Sequence, residues 1–273
     1  MNETTRAREF PAALDKLRSH RSVRQFTHEP VSDEQLEMII ATAQRASTSS
    51  NLQSYSVIVV RDSERKKQLS PLCGGQAQVA DCPVFLAFCA DLNRAKVLCE
   101  ASGYDFSAQF IEYFLVAVTD ATIFGQTALA AAEAIGLGGC MIGAARNHPE
   151  EISQLLQLPP LVFVVFGMTL GHPRTDQKVT LRPRLPLTAV IHHEQYDASL
   201  WQSPHAAYDT TMKATGIYDG RRIDLSKRVE NWRDVTPEGA YGWIEHSARR
   251  WIDPAAQRRK LRPFLDKRGF GFE

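Results

Sequence analysis

The run His20-Arg21-Ser22-Val23-Arg24 places an imidazole, two guanidinium groups and a hydroxyl within five residues. In an extended chain successive side chains alternate sides, so His20, Ser22 and Arg24 fall on one face and Arg21 and Val23 on the other. Such a face suits an anion, because arginine offers a planar fork of donors matched to phosphate and serine adds a short hydroxyl donor. A solvated basic turn has the same composition, since short basic clusters are common on surfaces. Further along, Ala46 to Gln53 is a loop of small hydroxyl side chains able to present hydroxyls and backbone amides to a polar ligand. Gly74-Gly75-Gln76 permits close backbone approach beside an amide that both donates and accepts. Thr180 to Pro186 sets Arg182 and Arg184 on the same side of an extended, proline-containing segment.

The elements that must hold these residues are organised around Phe110 to Gly143. Its first part is apolar, free of proline and interrupted only by Glu112, Asp120 and Glu133, which predicts a helix buried on most sides. Gly136, Gly138 and Gly139 end that helix, and Cys140 to Ile142 reads as a short buried strand. A membrane span is the competing reading, but Asp120 splits the run, and Ala121 to Ala132 is too short for roughly 30 Å of hydrocarbon. Around this unit, Phe10 to Leu17 is a candidate helix, and Ser32 with Gln35 forms a capping box before Leu36, Ile39, Ile40 and Ala43, a face expected to pack on the central helix. Strands are predicted at Tyr55 to Val60, Pro83 to Ala90 and Leu161 to Leu170, the last with a bulge or close contact at Gly167. Ser63 to Leu72 reads as an amphipathic helix, Pro149 opens a short one, and Asn93 to Gln109 gives no clear pattern.

The 273-residue chain, 44% hydrophobic and 23% charged, has the composition of a globular protein with one main core and an extension. A net charge of +1 gives no general reason to expect nucleic acid or an acidic membrane as partner. The five cysteines are odd in number and lack C-x-x-C spacing, which fits reduced thiols in a cytoplasmic compartment rather than zinc or a disulfide framework. No apolar signal region opens the sequence. Walker, Rossmann, H-E-x-x-H and G-x-S-x-G motifs are all missing. In the last quarter, pairs such as Arg221-Arg222, Lys227-Arg228 and Arg249-Arg250 alternate with Asp224, Glu230, Asp234 and Glu245. That interleaving favours a solvated helical arm over a nucleic-acid surface.

Taken together and in order, H-R-S-V-R-x-F, S-T-S-S-N-L-Q, G-G-Q, G-L-G-G-C-M-I-G and L-R-P-R-L-P resemble the FMN-dependent nitroreductase superfamily, in particular its oxygen-insensitive NADPH nitroreductase and flavin reductase (group A) branch, from about Leu17 to Tyr196. The resemblance implies an α+β fold, a mostly antiparallel sheet flanked by helices, in an intertwined homodimer whose long helix is core to both subunits. It implies an FMN-binding core over 1–196 and a C-terminal helical arm over 197–273 that wraps the partner and selects NADPH. It places His20, Arg21, Ser22, Arg24, Thr48, Ser49, Gln76, Met141, Ile142, Gly143, Ala144, Arg182 and Arg184 on FMN. Arg222 and Arg228, with Arg146 next, are the candidates for the NADPH 2′-phosphate. The chain departs from the family where Arg182 replaces a frequent lysine, Thr48 a serine, Met141 an aromatic residue and Ala144 a glycine. The last two bear on substrate shape more than on flavin binding. The arm is also longer than the family's around Asp234 to Trp251.

What the resemblance implies chemically is ping-pong hydride transfer from NADPH through FMN to a nitroaromatic, a quinone or a flavin. No side chain need act as acid or base. Arg24 would supply positive charge near the pyrimidine edge of the flavin. A non-enzymic FMN store or redox sensor is the alternative, keeping the phosphate contacts without a pyridine-nucleotide site.

Overall fold

Four runs pair into one antiparallel sheet, three of them rich in β-branched and aromatic residues and β3 a Gly-Gly-Cys-Met-Ile run: β1 Tyr55–Val60, β2 Val84–Asp91, β3 Gly138–Ile142 and β4 Val162–Gly171, in the order β1-β2-β4-β3. The computed structural model describes residues 12–176, 181–201, 204–223, 241–252 and 257–273. The helices are α1 Ala12–Arg18, α2 Asp33–Ala43, α3 Ser63–Leu72, α4 Ala77–Asp81, α5 Asn93–Ala101, α6 Ile111–Ala134, α7 Pro149–Leu155, α8 Pro204–Lys213, α9 Trp243–Ile252 and α10 Leu261–Lys267. The chain divides into two compact units, 1–178 with 258–273, and 179–257.

The central strands β2 and β4 are buried along their whole length, which accounts for their unbroken apolar runs. Between the pairs Phe88 with Phe166 and Cys89 with Val164, Val165 is an extra residue in β4. The irregularity therefore sits at Val165, while Gly167 is the point of close contact. A Cβ at Gly167 would come within 2.2 Å of the Phe85 ring.

Helix α2 starts on the expected capping box, with Gln35 N–H donating to Ser32 Oγ at 3.1 Å and Ser32 N–H to Gln35 Oε1 at 2.9 Å. Its Leu36, Ile39 and Ala43 are buried in the same apolar cluster as α6. Helix α6 lies on the sheet through Ala117, Ala121, Phe124, Gly125, Ala128 and Ala132. Phe124 stacks on Tyr55 at 4.3 Å, and a Cβ on Gly125 would strike the Phe166 ring at 2.5 Å. Burial on most sides does not hold within one chain. Tyr113, Leu115 and Ile123 stand exposed on α6, because one sheet and its flanking helices cover only one side of a cylinder. The helix is long and apolar enough to cross a membrane, yet its inner face carries the buried Asp120 and packs against protein.

Residues 258–273 return to the core of the first unit. Phe264, Leu265 and Phe270 are buried there, and Gly271 and Glu273 N–H donate to the carbonyls of Ala108 and Gln109 at 2.7 and 2.9 Å. In the second unit, Met212, Tyr218, Ile223 and Tyr241 form a small cluster beside Tyr208 and Trp243. Asp209 ties α8 to the start of α9, accepting from Ile244 N–H at 2.8 Å and pairing with Lys213 at 2.8 Å. Of the longer stretch at 234–251, only 241–251 falls within the described residues.

Candidate functional site

The segment after α1 runs along β3. Val23 N–H donates to Gly139 O at 2.9 Å, and Val23 lies over Gly138, where a Cβ would come within 2.6 Å of it. Phe26 closes the stretch with an antiparallel bridge to Pro173. With Val23 packed inward, Arg21, Ser22 and Arg24 are exposed, and no described residue pairs with their side chains. His20 is half-buried and shares a 2.7 Å contact between Nδ1 and Glu133 Oε1, so Nδ1 carries the proton toward that carboxylate and Nε2 remains for a ligand.

The hydroxyl loop is held by a residue the sequence showed only as a break in an apolar helix. Asp120 is 1% exposed, and its two oxygens accept from Ser49 N–H at 3.0 Å and Ser54 N–H at 3.1 Å. Between those anchors Ser50, Asn51 and Gln53 adopt φ of 47°, 59° and 52°, a left-handed backbone that non-glycine residues adopt only when their surroundings enforce it. The hydroxyls of Thr48 and Ser49 have no bond to any described residue. A buried carboxylate in an apolar helix needs hydrogen-bonding partners, and that requirement was the available signal.

The Gly74-Gly75-Gln76 turn meets the segment after β3. Gly74 and Gly75 have φ of 78° and 67°, and a Cβ on Gly74 would sit 3.6 Å from both Ala144 Cβ and Asn147 Nδ2. Gln76 is fixed by donating from Nε2 to Cys73 O at 2.9 Å and accepting at Oε1 from Gln78 at 2.8 Å. Met141, Gly143 and Ala144 are half-buried and Ile142 is buried. The Arg146 guanidinium bonds the carbonyl of Val165, the extra residue of β4. Burial, and then the charge of Arg258, hold Arg146 below the usual guanidinium value. Arg258, which sequence reasoning passed over, donates to Asn147 Oδ1 at 3.0 Å and Gly143 O at 3.1 Å. The structure thus joins 74–76, 141–147 and Arg258 at one locus of the first unit.

In the second unit Arg182 and Arg184 are exposed, and the segment between them is anchored by Tyr208 Oη donating to Pro183 O at 2.9 Å. Arg222 lines a cavity of about 620 Å³ together with Lys213, Asp219 and Arg221. Arg228 lies outside the described residues.

The donor set of the first unit fits a flavin mononucleotide. Unpartnered cations at 21 and 24 suit a phosphate, open hydroxyls at 48 and 49 suit polar flavin edges, and a glycine pair beside Gln76 lets a planar ring approach backbone. Residues 17–172 match the model of the nitroreductase family, and residues 182–273 match that of the nitroreductase family C-terminal domain. The chain belongs to the nitroreductase family. Its fold, an α+β arrangement of antiparallel sheet and helices, is that of the family's solved members. It is 38% identical to the Cr(VI) reductase of Pseudomonas sp. strain G-1 over 257 residues, covering 94% of this chain and 98% of that protein. It is 44% identical to the oxygen-insensitive NADPH nitroreductase of Salmonella typhimurium over 221 residues, 81% and 88% of the two chains. The NADPH:FMN oxidoreductase of Vibrio harveyi, solved in complex with NAD+, superposes with a TM-score of 0.79 at 34% identity, over 94% of this chain and 97% of that one.

Proposed function

We propose that this nitroreductase-family chain is an NADPH-dependent FMN oxidoreductase that works as a homodimer. The observation carrying this reading is the row Arg21, Ser22 and Arg24, laid along β3 by Val23 with no described carboxylate to neutralise it. FMN, when bound, would supply the two-electron hydride chemistry, and the chain's own residues would hold and orient it. His20 Nε2, Arg21, Ser22 and Arg24 would hold the phosphate and the pyrimidine edge, and Arg182 and Arg184 are assigned to FMN by the family resemblance. Thr48 and Ser49 offer hydroxyls, Gln76 offers its amide to the ring, and Met141 to Ala144 pass the reactive face mainly through backbone. By function the FMN-binding core is proposed over 1–196 and the arm over 197–273, although in packing 179–196 fall with the second unit and 258–273 with the first.

The dimer reading is supported by the exposed side of α6, where Tyr113, Leu115 and Ile123 present apolar surface that a second copy would cover. A cytoplasmic setting suits these three thiols: burial pushes Cys73 and Cys89 up to about 12 and Cys82 to about 11, so none of the three is poised to react.

NADPH and the oxidising substrate use one slot in turn, giving ping-pong kinetics. Nitroaromatics, quinones and free flavins are the proposed acceptors, and the similarity to a Cr(VI) reductase adds metal oxyanions to the set. The deciding experiment is stopped-flow reduction of the bound flavin by NADPH, followed by steady-state rates across those four acceptor classes. A flavin that NADPH does not reduce would leave an FMN store or redox sensor instead.

A further inference from the structure

Beside the arginine-lined cavity of the second unit stands a histidine that the scheme above does not use. His246, half-buried on α9, receives Arg221 Nη1 at 3.2 Å on its Nδ1, and Tyr241 Oη lies 3.2 Å from the same nitrogen. Arginine only donates, so Nδ1 must keep its lone pair and the ring proton must be on Nε2. The guanidinium is further confined by two rings, lying 5.9 Å from the centroids of both Tyr218 and Tyr241, while Tyr218 faces the imidazole at 5.4 Å. One of its N–H groups is taken by His246, and the residue as a whole is exposed on the cavity wall next to Arg222. Lys213, the other cation of that wall, is already paired with Asp209 at 2.8 Å.

An arginine gripped from behind by a neutral acceptor and flanked by aromatic faces has lost most of its rotamer freedom before any ligand arrives, which lowers the entropic cost of binding an anion. We propose that His246 is a positioning residue, which as a neutral acceptor aims Arg221 at the 2′-phosphate of the reducing nucleotide. This rests on the NADPH reading above. The cavity's cations then divide their work: Arg222 adds charge, and the Arg221 fork, fixed in direction by His246 and Tyr241, distinguishes a nucleotide with the phosphate from one without it.

The test is calorimetric titration of NADP+ and NAD+ into the flavin-loaded full-length protein, for wild type, His246→Leu, His246→Asn, Arg221→Ala and the double variant Arg221→Ala/His246→Leu. Leucine fills the space without an acceptor, whereas the asparagine oxygen reproduces the acceptor at Nδ1. His246→Leu should weaken NADP+ about ten-fold, with NAD+ within about two-fold, and His246→Asn should restore NADP+ binding. In the Arg221→Ala background the leucine change should have no further effect, since its consequence passes through Arg221. An unchanged NADP+/NAD+ ratio in His246→Leu, or equal loss in the Leu and Asn variants, would overturn the proposal. So would a full additional loss in the double variant, an outcome that also covers general damage to the second unit. Equal binding of both nucleotides by wild type would overturn the NADPH reading as well, which sets that failure apart.

Discussion

Asp120 binds the two ends of the hydroxyl loop from inside α6, accepting from Ser49 N–H and Ser54 N–H at 3.0 and 3.1 Å. The strained backbone between those ends is anchored by this carboxylate, with Arg94 Nη1 also donating to Gln53 O at 2.8 Å, so Asp120 lies between stability and the site. In Asp120→Asn one of the two backbone donors loses its acceptor, and a buried donor left unsatisfied costs about 1–3 kcal/mol. The variant should melt lower than wild type and bind FMN more weakly. Equal FMN affinity in a measurably destabilised Asp120→Asn protein would mean the loop does not touch the flavin.

Arg184→Ala should emerge from purification largely without flavin, judged by the ratio of flavin to protein absorbance. A charge-assisted bond to an enclosed phosphate is worth on the order of 1.5–3 kcal/mol, so one arginine moves affinity by about ten- to a hundred-fold. Full FMN occupancy at micromolar protein would remove Arg184 from the phosphate site.

Local chemistry made part of this molecule legible from its residues alone. The Ser32 and Gln35 capping box, the bounds of β1 and α3, and the close contact at Gly167 each depend on neighbours in sequence or on a missing Cβ. What stayed hidden depends on partners far along the chain. Asp120 meets Ser54 across 66 positions and Arg258 meets Gly143 across 115, separations over which no periodicity reports. Helix α5 went unassigned because no residue in it is buried, which leaves no apolar stripe to find. The one-sided burial of α6 within a single chain is hidden for the opposite reason: its sequence is apolar all round, whereas one chain covers only one side.

That uncovered side yields the next prediction. Sedimentation should show a dimer down to the lowest measurable concentration, and Ile123→Glu, a charge placed in the exposed apolar strip, should give monomer with reduced flavin content. A stable wild-type monomer carrying a full complement of FMN would sink the dimer reading.

The imidazole of His246 is held below its ordinary value, first by burial and then by the charges of Arg221, Arg250, Arg249 and Arg182. The unfolded chain therefore takes up a proton near pH 6.5, before the folded protein does. Between the two values the unfolded state binds more protons, so this contribution to stability is whole above pH 6.5 and is lost as pH falls through the folded value. Melting curves from pH 7.5 down to 5.5 should drop more steeply for wild type than for His246→Asn, which has no proton to gain there. Parallel pH profiles for the two proteins would show that this histidine does not titrate in the window.

Finally, NADPH should be preferred to NADH, with the preference set by arginines of the arm. The 2′-phosphate is the chemical difference between the two donors, and a charge-assisted contact to it near solvent is worth about 1–2 kcal/mol, roughly ten-fold in the ratio of specificity constants for each arginine. Arg222 lies on the cavity wall beside Arg221, and Arg228, beyond the described residues, follows in the same basic stretch. Arg146 is the weaker alternative, since its guanidinium is committed to the Val165 carbonyl. Specificity constants for both nucleotides should therefore shift toward equality in Arg222→Ala and Arg228→Ala, with kcat under saturating NADPH little changed, because the contact is made equally in the ground and transition states. Unchanged ratios in both variants would leave the discrimination to Arg221 or, if Arg221→Ala is also silent, move the phosphate site toward Arg146, and a wild-type enzyme using both nucleotides equally would end the idea of a selecting arm.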